Sequence, residues 1–266
     1  VASGALGYLV APRQSLGFAR KLSYQELAVK GADVFALISE DRTHFTNQGR
    51  DGSLGAGFTL GWLGELTPQL LGALSYRSKT WSQRFDEYAG LLPEQGRFDF
   101  PANFGGGLSW EFIPGWTGAF EFQRVFYSSE SAIGNRFGRI LGGEQLGSDD
   151  GPGFGWRNQN IYRLGLMHRI SERLILRGGY IHSTSNIPAS QTLFGALAPT
   201  FSRSHYTLGA TLRLSSRWDV SGYVAHSPKK VLRGENSIPL IVGGGELDME
   251  VPQYFAGFSF GRSFGD

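Results

Sequence analysis

The chain has 266 residues, of which 39 are Gly and none Cys, with 14% aromatic residues and a formal charge of +2 at pH 7. Absence of Cys excludes disulfide scaffolds, thiolate metal sites and cysteine nucleophiles, and no Lys/Arg run points to nucleic acid. No run of about eighteen apolar residues exists, which excludes a helical membrane protein, and the length allows one large domain or two small ones.

Taken in order, the chain repeats one period. Ala2 to Val10 is Gly- and Ala-rich with moderate alternation. Next, Leu16, Phe18, Leu22 and Tyr24 alternate with Gly17, Ala19, Lys21, Ser23 and Gln25, and Arg20 interrupts the apolar side. A short helical piece is expected within Leu27 to Ile38. Leu54, Ala56, Phe58, Leu60 and Trp62 oppose Gly55, Gly57, Thr59 and Gly61, and Leu70 to Phe85 predicts a further strand. Phe98 to Phe112 shows the pattern best. Phe98, Phe100, Ala102, Phe104, Gly106, Leu108, Trp110 and Phe112 fall on one face, with Asp99, Asn103, Ser109 and Glu111 among those on the other. Side chains alternate across a strand, so this is one apolar and one polar wall. A soluble sandwich would bury branched aliphatics on strands of about five or six residues. Here the apolar wall is aromatic and glycine-rich, and the run is long enough to cross a bilayer at a tilt. Pro101 is tolerable near a strand start or bulge.

The alternation continues at Trp116–Gln123, Tyr162–Met167, Leu174–Ser183, Tyr206–Leu214, Trp218–Ala225 and Tyr254–Phe264. About eleven segments of period two result. Short turns near Pro12, Pro68, Pro114, Ser171 and Ser215 alternate with long connections at Gly31–Arg50, Asp86–Arg97, Ser129–Asn158, Thr184–Ser202 and Lys229–Glu250. Short periplasmic turns and long extracellular loops are what a transmembrane β-barrel shows. Trp62, Trp110, Trp116 and Trp218 stand beside short turns, and Tyr180, Tyr206 and Tyr254 near long loops, as interfacial aromatic girdles require. A slightly negative mean hydropathy is compatible with this, because lumen-facing residues dilute lipid-facing ones. The fold class expected is all-β, an antiparallel transmembrane barrel forming a single domain over residues 1–266. An odd strand count and an open edge are both unfavourable in lipid, so further N-terminal strands are expected. Val1-Ala-Ser-Gly reads as strand rather than signal peptide.

Several stretches resemble the FadL/TodX family of outer-membrane transporters for long-chain fatty acids and aromatic hydrocarbons. They are the segments Asp51–Trp62, Thr67–Lys79, Tyr88-Ala-Gly-Leu, Phe98–Asn103, Gly155-Trp-Arg-Asn-Gln-Asn-Ile-Tyr-Arg-Leu-Gly and Ser171–Tyr180. Their order and spacing carry the likeness over nearly the whole chain. The resemblance implies a fourteen-stranded barrel plugged by an N-terminal hatch, of which these segments look like the last eleven strands. It further implies ligand capture between two extracellular loops, a lumen pocket and lateral exit beside a kinked early strand. The hatch and that strand would precede Val1. The family's basic lumen residues have no match here that can be carried over.

In the two loops corresponding to the family's capture groove stand Val34, Phe35, Leu37 and Ile38, then Leu91 and Leu92. Exposed apolar clusters suit a greasy ligand, and packing of the loops on the barrel rim is the alternative. Arg163, Arg177 and Arg213 fall on the lumen face. One of them could pair with a ligand carboxylate; the alternative is a structural ladder with Glu111, Glu121 and Asp219. His182 and Ser183 are adjacent and point to opposite faces, which disfavours a hydrolase dyad. Gly243-Gly-Gly lacks the Lys of a phosphate loop. No catalytic residue, metal site or cofactor is expected. The function expected is passive passage of a hydrophobic solute across the outer membrane of a Gram-negative bacterium. A barrel lipid hydrolase and a polar-solute porin are the alternatives. Outer-membrane lipid, a hydrophobic small molecule and the barrel-assembly machinery are the expected partners of a monomeric chain, without nucleic acid.

Overall fold

The computed structural model describes residues 1–197, 203–240 and 243–264. The end of the expected Thr184–Ser202 connection lies outside the described residues. The strands in chain order are β1 (Ala2–Ala11), β2 (Gln14–Leu27), β3 (Asp51–Thr67), β4 (Leu70–Arg77), β5 (Trp81–Ser82), β6 (Asn103–Ile113) and β7 (Trp116–Val125). Then follow β8 (Gln159–Arg169), β9 (Leu174–Ser183), β10 (Ser204–Arg213), β11 (Trp218–Ser227), β12 (Val231–Leu232), β13 (Met249–Glu250) and β14 (Gln253–Arg262). Among the described residues eleven long strands, each paired with the next, and β5, added to β3, form one 12-stranded antiparallel sheet. The sheet is a transmembrane-type β-barrel wall. β12 and β13 pair separately in the last long connection. β1 and β14 each keep one edge without a partner strand among the described residues.

Register turns the sequence alternation into continuous walls. On one face Leu108, Phe120, Leu164, Tyr180, Tyr206, His226 and Tyr254 lie side by side across β6 to β14. On the other, Gly107, Glu121, Arg163 and Ile181 form the matching row. The burial is inverted relative to a water-soluble fold. Strand residues on the apolar wall are open, with Leu164 54% and Phe258 88% exposed, whereas Phe45, Tyr88, Ile133, Trp156 and Ile187 are buried in the long connections. Exposing such a surface to water forfeits the hydrophobic term that drives folding; exposing it to lipid does not. Strands of 10 and 11 residues, as in β7, β8 and β9, match a bilayer crossed at a tilt. Among the described residues no helix is long and apolar enough to cross a membrane, a fact silent on barrels.

Three local expectations are corrected. Phe98–Ala102 does not belong to the strand, which begins at Asn103. Pro101 has no N–H for a ladder, and the segment touches β5's end by a single bridge, Thr80 to Phe100. The expected strand Leu70–Phe85 breaks after Arg77. The Ser78 hydroxyl accepts the Phe58 N–H at 2.9 Å and donates to the Lys79 carbonyl at 2.8 Å, and β5 then pairs with β3. The helical piece is one 3-10 turn, Asp33–Ile38, while Leu27 still ends β2.

Leu164→Arg, mid-strand on the apolar wall, is expected to cost about 2–4 kcal/mol of folding free energy in lipid vesicles. Met167→Arg, on the opposite face of the same strand, is expected to cost much less. Urea titration of both variants in vesicles measures the difference, and equal costs would contradict the assignment of faces.

Candidate functional site

The long connections interlock into a cap. Buried Tyr88 donates its hydroxyl to the Gly49 carbonyl at 2.6 Å and accepts the Val29 N–H at 3.0 Å, joining the first two long connections. Ser39 donates to the Gly90 carbonyl at 2.7 Å. A Cβ at Gly90 would stand 1.8 Å from the Asp41 carbonyl oxygen, so no other residue fits without moving backbone. Glu94 and Gln95, both at positive φ, donate their N–H groups to the carbonyls of Ser148 and Gly147, tying in the third connection. Lys79 bridges the almost fully buried carboxylates of Asp99 and Glu130 at 3.1 and 3.2 Å. Removing that ammonium would leave buried charge unpaired, an expensive state. Ile133, Trp156, Ile187 and Met249 form the cap's own core, with Phe98, Tyr127 and Phe154 packed against it.

Within the cap is a cavity of about 560 Å³. Phe35, Phe85, Leu91, Leu92, Phe98, Phe137, Phe154 and Phe194 line it, together with the upper end of β2 from Gln25. Three rings from three connections meet at its wall. Phe137 stacks on Phe194 with centroids 4.4 Å apart, and Phe35 stands 6.2 and 5.9 Å from them. The buried Gln191 fixes this contact by accepting the Phe137 N–H at 3.2 Å. Polar lining is sparse: Gln25 donates to Ser82 at 2.8 Å, Glu26 pairs with Arg50 at 2.9 Å, and Lys30 makes no ion pair among the described residues. Pockets that are mostly apolar with few polar groups suit hydrophobic small molecules.

The sequence-predicted loop residues divide. Phe35, Leu91 and Leu92 line the cavity. Val34 and Leu37 are exposed outside it, and Ile38 is half-buried with its carbonyl accepting the Leu146 N–H at 3.0 Å. The three arginines share the polar face, with Arg163 set apart from Arg177 and Arg213. Arg163 pairs with Glu121 and donates to Gln123 at 2.9 Å, as a structural rung would. Arg177 donates to Thr211 at 2.6 Å, and Arg213 makes no ion pair among the described residues. Glu111 accepts the Gly115 N–H at 2.9 Å instead of meeting an arginine, so the expected ladder exists at one rung. Phe85, Phe137, Phe154 and Phe194 were not foreseen. Phe137, Phe154 and Phe194 lie in long connections, where lone Phe residues without periodicity are the available signal, and Phe85 closes the segment expected as strand.

His182 and Ser183 occupy opposite faces, but His182 Nδ1 stands 3.4 Å from Ser204 Oγ on the apolar wall. The same Oγ contacts the Tyr180 hydroxyl at 3.2 Å, and no carboxylate orients His182 among the described residues. No cluster of three His, Asp or Glu side chains that could hold a metal occurs among them either.

No protein-family profile and no curated protein matches the chain. Solved structures do. The Pseudomonas putida toluene transporter TodX superposes with a TM-score of 0.63 at 15% identity, over 98% of this chain and 68% of that one. A Pseudomonas aeruginosa FadL homologue gives 0.64 at 15% identity, over 98% and 67%. The CymD monoaromatic hydrocarbon channel gives 0.58 at 17% identity, over 98% and 72%. The fold is that of the FadL/TodX channels. Within this FadL/TodX fold the chain places its apolar cavity in loops, and its lumen face carries Arg163, Arg177 and Arg213.

At the cap surface Asp41 accepts hydrogen bonds from the Thr43 hydroxyl at 2.6 Å and from His44 at 2.7 Å. These bonds, Thr43's first, hold the Asp41 carboxyl far below the usual carboxylate range, and the bond to Asp41 raises His44. The raised His44 stabilises the turn at acidic and neutral pH and loses that effect as pH rises through its folded value; the depressed Asp41 loses its effect only in strong acid. In an NMR titration the His44 ring should titrate above about 6.5, and Asp41→Asn should bring it back. A His44 midpoint that ignores this substitution would refute the pairing. Tyr88→Phe should cost about 1–3 kcal/mol and speed exchange of the Val29 amide.

Proposed function

We propose that the chain is an outer-membrane barrel of a Gram-negative bacterium that passes hydrophobic solutes, such as long-chain fatty acids or aromatic hydrocarbons, without an energy source. The observation that carries this is the Phe-walled cavity in the cap of a barrel whose outer wall is open and apolar. Solved structures of the same fold described as a toluene transporter and a monoaromatic hydrocarbon channel support it. In this proposal residues 1–266 act as one monomeric barrel unit set in outer-membrane lipid and inserted by the barrel-assembly machinery. A solute partitions onto the exposed apolar surface near Val34 and Leu37, enters past the Phe35–Phe137–Phe194 contact, and leaves into the lumen. Binding rather than bond-making does the work. The cap gives a solute an apolar refuge, and the rings part at modest cost because they touch by dispersion and weak aromatic contact.

A hydrolase reading has the His182–Ser204 contact in its favour. Against it stand the loose distance, the shared Tyr180 hydroxyl and the absence of an orienting acid among the described residues; a nucleophile–base pair needs that support.

Toluene and oleate binding to the full chain in non-ionic detergent micelles tests the proposal. Phe35→Asp and Leu92→Asp should each weaken saturable binding by about tenfold or more, since about 1.4 kcal/mol suffices for that factor. Binding indifferent to both substitutions, together with ion conductance in planar bilayers, would favour a polar pore. Phospholipid hydrolysis abolished by Ser204→Ala would favour the hydrolase.

A further inference from the structure

At the short-turn end of the sheet a second recess, of about 500 Å³, has a different chemistry. Arg173, Arg177, Arg213 and Arg217 line it, against two carboxylates, Glu172 and Asp219. The fold brings them together through register. Arg213 and Asp219 are cross-strand partners at the end of β10 and β11, and Arg177 stands on the same face of β9 opposite Gly209. Arg173 lies in the turn before β9, its carbonyl accepting the Arg213 N–H at 2.8 Å. Arg217 lies in the turn before β11, its carbonyl accepting the Ser263 N–H at 2.8 Å. The Asp219 carboxylate lies over Gly261, where a Cβ would meet it at 2.6 Å.

Lumen arginines in this sheet have a structural use, and Arg163 shows it: an ion pair with Glu121 and a bond to Gln123. The recess departs from that pattern. Arg173, Arg177 and Arg213 make no ion pair among the described residues, even though Asp219 is adjacent. Arg177 is held by Thr211, whose hydroxyl in turn contacts Ser221 at 2.8 Å, so its guanidinium is positioned by neutral groups that do not cancel its charge. Three guanidiniums without an ion pair among the described residues, beside Glu172 and Asp219, raise local anion concentration, and the guanidinium fork matches the oxygens of carboxylate and phosphate.

We propose that this recess binds an oxyanion, a carboxylate or a phosphate. Where it is the carboxylate head of a solute that has crossed the lumen, the inference rests on the transport proposal above. Oxyanion binding itself does not.

Calorimetry on the full chain in non-ionic detergent, with decanoate, decanol and inorganic phosphate as probes, tests this. Decanol reports the apolar cavity alone. Decanoate is expected to bind about tenfold tighter than decanol, with an affinity that falls as salt rises. Arg177→Ala/Arg213→Ala should abolish that advantage while toluene binding at Phe35 and Leu92 stays unchanged, which also shows that the variant is folded. Phosphate binding as tightly as decanoate identifies a general oxyanion site; decanoate binding without phosphate identifies the solute's own head group. Equal affinities for decanoate and decanol without phosphate binding, or a double variant that binds both anions as the parent does, would overturn the proposal. Toluene binding insensitive to Phe35→Asp would overturn the transport proposal and leave this one standing.

Discussion

Backbone hydrogen bonding in a medium without water governs this structure. In hydrocarbon every N–H and C=O must find a partner within the protein, and a meander of antiparallel strands, each bonded to the next, meets that demand across the sheet. The period of two follows from it. Once the ladder is fixed, alternate side chains must face lipid and lumen, so Leu164 and Arg163 can be neighbours in sequence and live in different solvents. The free edges of β1 and β14 are where the demand is unmet among the described residues.

Because lipid replaces the core on one side and the lumen occupies the other, the strands bury little against each other. The burial that fixes a unique conformation moved to the cap. Ile133, Trp156, Ile187 and Met249 pack there, and Tyr88, Gly90 and the Lys79–Asp99–Glu130 bridge hold connections far apart in sequence. A cap built this way has local stability separable from the wall's. In the transport proposal its aromatic cavity admits a solute by shifting loops while the hydrogen-bonded wall stays intact.

What the sequence revealed follows the same division. Alternation and turn length sufficed for the strands, their order and their faces, since both are set by neighbours along the chain. Where the chain leaves the ladder, legibility stops. Phe98 continued the alternating pattern on paper, yet Pro101 ended the pairing and Phe98 went to the loop cavity. Ser78 redirected β5 onto β3 through a side-chain bond that no periodicity encodes. Phe35, Leu91 and Leu92 were identifiable as loop hydrophobics, but their partners Phe137 and Phe194 are about a hundred residues or more away from Phe35, and only the folded cap brings the rings together. Arg163, Arg177 and Arg213 looked alike on the lumen face; register gave Glu121 to the first and left the last unpaired among the described residues.

That unequal pairing makes the two ends of the sheet chemically unlike. Near the long loops the accessible space is mostly apolar, with Glu26 held by Arg50 and Lys30 at its edge. Along the wall Arg163 pairs with Glu121, while Lys21 and Arg77 share the lumen face of β2 and β4. At the short turns the arginines outnumber the carboxylates. In the transport proposal a nonpolar solute meets its strongest attraction at the cap and gains nothing from the far end. An amphipathic one can exchange its tail's apolar contacts for charge-assisted hydrogen bonds to its head, and a site that binds by different chemistry at each end need not hold the whole molecule tightly at either.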